Sequence, residues 1–83
     1  MQREDQAILS LIELAMERTE NIEDHAARRG CCAALLDGMA GDALDEVPIT
    51  NFGLKMKEAI SLLKSGILPD SLCDELRKRW SIE

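Results

Sequence analysis

Apolar residues recur at helical spacing along nearly the whole chain. Placed at steps of about 100° per residue, Ile8, Leu11, Ile12 and Ala15 form one stripe, with Leu9 and Met16 widening its edge. Glu13 and Glu17 lie opposite, so the pattern predicts an amphipathic helix over Arg3 to Thr19. Leu14 falls outside the stripe and hints at a second contact surface.

Asn21 reads as the cap of a second helix, Ile22 to Asp37, with Glu23 and Asp24 in its first turn and Gly38 just beyond its end. Its second half, Gly30 to Leu36, has no polar face, which predicts burial on every side. Ala27, Gly30 and Ala34 line one side with small residues that would let another backbone approach closely. Gly38, Gly41 and Pro48 then break the pattern, while Ala43, Leu44 and Val47 predict a short turn of helix around residues 42–47, pinned to the core. Thr50 or Asn51 caps a third helix through Ser65, closed by Gly66. Its stripe is Phe52, Met56, Ala59, Ile60 and Leu63, and Ile67 continues it. Pro69 and Asp70 suit the first turn of a fourth helix, Pro69 to Trp80, burying Leu72, Cys73, Leu76 and Trp80. Asp74 with Lys78 and Glu75 with Arg79 are spaced for ion pairs along that helix. The expected fold is an all-α, compact four-helix bundle with a fifth short helix in the central loop.

Eighty-three residues leave room for one domain, 1–83. Sixteen acids against ten bases give a net charge of -6, which repels nucleic acid and anionic lipid over most of the surface. Phe52 and Trp80 are the only aromatics, so stacking platforms and aromatic cages have no material. No run approaches the ~18 apolar residues of a membrane span, and the polar amino terminus is unlike a secretory signal. Cys31, Cys32 and Cys73 cannot all pair within the chain. They read as reduced, buried thiols in a cytoplasmic protein.

Chemistry is sparse. His25 and the three cysteines add up to four zinc ligands, yet their spacing is unlike paired structural-zinc ligands, and neighbours on one helix point about 100° apart. No base is placed to activate a nucleophile, although Arg28 and Arg29 lie a turn from Cys32; acids such as Glu13, Glu17 or Asp42 are their expected partners. Asp70-Ser71-Leu72 resembles the phosphopantetheine-bearing motif of acyl carrier proteins, which are also acidic four-helix domains. Here, however, the motif opens the last helix, with eleven residues after Leu72, so the helices that should follow are missing and the resemblance is set aside. No phosphate loop, dinucleotide fingerprint or calcium loop is present. Catalytic, cofactor and metal residues are therefore expected to be none.

The third and fourth helices can also be read as a helix-turn-helix, with Arg77, Lys78 and Arg79 as its basic cluster. A recognition helix reads bases from its N-terminal part, which here carries Asp70, Asp74 and Glu75. That makes a dimeric DNA-binding regulator the second reading. The first is a small acidic, non-enzymatic interaction module, a regulator or inhibitor that acts by binding another protein. Its candidate contacts are apolar residues off the main stripes or on the small-residue side: Leu14, Ala27, Gly30, Ala34, Leu35 and Leu62, with Leu54 as a further surplus. The same surplus predicts a homodimer.

Overall fold

A computed structural model describes residues 3–81 as four helices: α1 (Arg3–Thr19), α2 (His25–Ala40), α3 (Asn51–Ser65) and α4 (Pro69–Arg79). A 3-10 turn, Gly41–Leu44, lies between α2 and α3, and no strand occurs among the described residues. The all-α bundle read from the periodicity is the fold.

Helix α1 buries Ile8, Leu9, Ile12 and Ala15, as its stripe predicts, while Leu11 is only half-buried. Asp5 and Thr19 extend the buried line at either end. The Thr19 hydroxyl hydrogen is satisfied within the helix, donating to the carbonyls of Ala15 (3.0 Å) and Met16 (3.1 Å).

Helix α2 is shifted from the span its caps predict. Asp24 takes the N-cap, accepting from the Ala27 N–H at 2.8 Å, and Asn21 falls in the turn after α1. At the other end Gly38 stays helical, and Gly41, with φ 55°, closes the helix by donating to the Asp37 carbonyl. The extra turn carries Ala40 into the core and Met39 against it, and burying them favours continuing the helix. The expectation of burial on every side fails as well. Cys32, Ala33 and Leu36 are buried, while Gly30, Cys31 and Ala34 are exposed. The buried residues share one side of the helix, and an outer face of small residues, Gly30, Cys31 and Ala34, leaves little apolar area in water.

Helices α2 and α3 run antiparallel. Arg29, near the start of α2, donates to the Leu63 carbonyl near the end of α3 at 3.1 Å. Ala43, beyond the end of α2, lies over Gly53 in the first turn of α3. The approach is so close that a Cβ on Gly53 would collide with the Ala43 carbonyl oxygen. The central loop is therefore pinned through Ala43 and Leu44, both half-buried, whereas Val47 is 95% exposed instead of packing inward.

Thr50 caps α3, accepting from the Gly53 N–H at 3.1 Å, and Gly66, at φ 121°, ends it with an N–H directed at Leu62 and Leu63. Pro69 is buried in the first turn of α4. Ile8, Ile12, Leu36, Met56, Leu63, Leu72 and Leu76 make the heart of the core; Phe52 and Trp80 pack against it from the side.

Candidate functional site

Polar side chains gather at two places, and in both they are spent on holding helices together. Where α1, α3 and α4 meet, Lys55 forms an ion pair with the buried Asp5 carboxylate, which also accepts from the Asn51 amide at 3.2 Å. Those two donors, Lys55 foremost, hold the Asp5 carboxyl below its ordinary range despite the opposing effect of burial. The Lys55 ammonium also sits 5.0 Å from the centre of the Trp80 ring. The Trp80 indole N–H donates to Glu58 at 2.6 Å, and Arg79 reaches Glu58 at 3.5 Å.

The second gathering lies between α1, α4 and the start of α2, lined by Glu13, Glu17, Glu20, Arg28, Asp70 and Arg77, among others. Arg28 meets Asp70 through two parallel hydrogen bonds of 3.0 Å, so its partner is on α4, not at Glu13, Glu17 or Asp42. The pair pushes the Asp70 carboxyl down and the Arg28 guanidinium up. Arg77 bonds Glu13 across to α1 at 3.1 Å and Asp74 at 3.6 Å. Arg79 takes Glu75 at 3.3 Å, as its spacing predicts. Of the basic cluster, Arg77 and Arg79 therefore spend their charge on neighbouring acids, and Lys78 is exposed.

Cys32 and Cys73 are buried, and burial raises both thiols, Cys73 to about 11. Cys73 touches the Met16 sulfur at 3.5 Å. Cys31 is exposed, a correction to its expected burial: it sits one step round the helix from Cys32, on the outer side. Among the described residues, no group of three His, Cys, Asp or Glu side chains is arranged to hold a metal ion. No helix there is long and apolar enough to cross a membrane.

What remains is the outer face of α2 and α3. Gly30, Ala33, Ala34 and Ile60 floor a hollow of ≈ 240 Å³ between the two helices, bounded by Asp37 and Lys64. That is below the usual size of a small-molecule pocket and matches one or two inserted side chains. A broader, shallow surface continues along α3, lined by Leu54, Lys57, Glu58, Ile60, Ser61 and Lys64. It is larger (≈ 750 Å³), but its walls come from a single helix and enclose nothing. Among the described residues, Lys57 and Lys64 form no ion pair.

The sequence-derived contacts divide over this geometry. Ala27, Gly30 and Ala34 are exposed on α2, and nothing lies within 4 Å of a Cβ built on Gly30. Leu35 and Leu62 are half-buried against the core. Leu14, 39% exposed, is on α1 and outside the hollow. Ile60 and the flanking Asp37 and Lys64 were not singled out by sequence, because Ile60 belongs to the core stripe and charges at helix ends are ordinary. Leu54, 55% exposed, was visible as surplus; Val47, also exposed, was read as pinned to the core, and Ile49, exposed as well, was not singled out. No protein-family model matches the chain, and no curated protein or solved structure matches it either.

Proposed function

We propose that this chain is a non-enzymatic protein-binding module, of the regulator or inhibitor kind, and that its recognition surface is the outer face of α2 and α3. The observation that carries this reading is the hollow floored by Gly30, Ala34 and Ile60, an apolar, uncovered surface beside the exposed Leu54. At the two polar gatherings the charged side chains pair across helices: Asp5 with Lys55, Arg28 with Asp70, Arg77 with Glu13. That engagement weighs against the DNA-binding reading too, since two members of the basic cluster are neutralised within the fold. The reading also places the protein in a reducing setting such as the cytoplasm, where an exposed thiol at Cys31 stays unpaired.

Affinity capture with the immobilised chain, alongside Ala34→Glu and Lys78→Glu variants, tests the assignment. Ala34→Glu puts a charge into the hollow and is expected to abolish capture of a protein partner, while Lys78→Glu leaves it intact. A partner held equally by Ala34→Glu would remove α2–α3 as the recognition surface. Retention of nucleic acid lost in Lys78→Glu would favour the second reading.

A further inference from the structure

Resting on that protein-binding reading, we infer that the partner seated on the α2–α3 face is an acidic amphipathic helix of another protein. Charge placement carries this. The chain as a whole is acidic, with a net charge of -6. The outer side of α3 nevertheless presents two exposed lysines, Lys57 and Lys64, that pair with no acid among the described residues. Arg29 of α2 is a third cation without a carboxylate partner there, and its bond to the Leu63 carbonyl holds it beside Lys64. Glu58, the acid lining the same side of α3, is already engaged: it accepts from the Trp80 indole and pairs with Arg79. A band of uncompensated positive charge therefore runs beside the apolar Leu54 and Ile60.

Spacing sets the form of the partner. Lys57 and Lys64 stand seven residues apart on one helix, two turns or about 10.5 Å along its axis. A helix laid along α3 at a small crossing angle repeats at the same interval, so carboxylates seven apart on it come over both lysines. The hollow of ≈ 240 Å³ between α2 and α3 takes an apolar side chain of the same helix, over Gly30, Ala34 and Ile60. Asp37, exposed on the α2 side of that hollow, fixes the order across the groove. The partner's acids fall on the α3 side, where the lysines are, and its apolar residue in the middle. A basic helix in the same place would set like charge against Lys57 and Lys64.

A library of random helical peptides displayed on phage, selected on the immobilised full chain in reductant, tests the inference. The enriched peptides are expected to carry Asp or Glu seven positions apart beside an apolar residue. Synthetic copies should bind less tightly as salt rises. Reversing both lysines, Lys57→Glu with Lys64→Glu, should weaken their binding by about tenfold or more, while Lys78→Glu leaves it unchanged. A peptide with its acids replaced by lysine should prefer the doubly reversed chain, which identifies the pairing as direct. Lys57 and Lys64 are exposed, and circular dichroism verifies that the variants fold. No enrichment, or enrichment of neutral or basic sequences, overturns the inference. Self-association of the chain that is lost in the doubly reversed variant also overturns it, in favour of a second copy. Peptides lost in Ala34→Glu but indifferent to both lysines defeat the acidic partner and leave the protein-binding face standing. Peptides indifferent to Ala34→Glu as well defeat both.

Discussion

The corner where α1, α3 and α4 meet and the outer face of α2 and α3 are built on opposite terms. At the corner, Lys55 serves three helices: it pairs with Asp5 of α1, belongs to α3 and lies against Trp80, which follows α4. Every group there has a partner, and the partners are far apart in sequence. On the outer face a Cβ on Gly30 would meet nothing beyond its own helix, Ala34 is exposed, and Lys57 and Lys64 pair with no acid among the described residues. The first arrangement stabilises the fold and has no capacity left for a ligand. The second does little for the fold and is available for recognition. In a domain this small, with an aliphatic core and no aromatic inside it, the two tasks fall to separate places.

Substitutions break this contrast with graded effects, the largest at the corner. Lys55→Ala removes the cation beside a buried carboxylate and should cost about 4 kcal/mol in chemical denaturation, a large part of the stability of a domain this size. The same pair sets an acid response. Asp5 is held below the unfolded carboxylate range, so its contribution is fully present above the unfolded value of about 3.9 and is lost as pH falls through the lower folded value. Asp5→Asn should flatten that acid-side decline; an unchanged pH profile would show that the pair does not couple to folding. Trp80→Ala comes next, at about 3 kcal/mol, through lost packing on the core and the lost indole bond to Glu58. A native Trp80 emission as red-shifted as that of the unfolded chain would contradict the packing.

How far the sequence alone reaches follows from the same contrast. Helix α1 and both ends of α3 were legible because their signals are local: an apolar stripe, a threonine beside an asparagine at the start, a glycine closing the turn. The limits of α2 were not, since Asn21 and Asp24 are both competent caps and Gly38 and Gly41 both competent stops. What decides between them is Met39 and Ala40 finding the core, a tertiary fact. The small-residue side of α2 was legible as a place for close approach but not as an open face, because a segment without a polar residue reads as buried on every side. The corner was invisible. Spacing sets Asp5 on the α1 stripe, three before Ile8 and seven before Ile12, but nothing in the order of residues says that Lys55, fifty positions on, meets it there. For the same reason, Val47 could not be separated from Ala43 and Leu44 by pattern, although only the latter two pack.

The glycines sharpen the comparison in smaller steps. Gly53 belongs to the packed part of the molecule, where the Ala43 carbonyl leaves no room for a Cβ. Gly53→Ala must push the 3-10 turn off α3, and the expected loss is about 2 kcal/mol, read as a lowered denaturation midpoint with an unchanged slope. Tolerance of alanine there would mean that the turn is not held against α3 in solution.

Gly30→Ala is the smallest change and has the opposite sign. Gly30 lies inside α2 without a positive φ, and nothing stands within 4 Å of where its Cβ would be. Alanine is a better helix residue than glycine by about 1 kcal/mol, through the backbone freedom glycine loses on folding. Gly30→Ala should therefore raise stability by somewhat less than that, while the same exchange at Gly53 lowers it. Two Gly→Ala changes of opposite sign, each on a helix, separate a face the fold leaves open from one it closes. A loss of stability in Gly30→Ala would show instead that the chain itself covers Gly30, and the contrast between the two regions would fall.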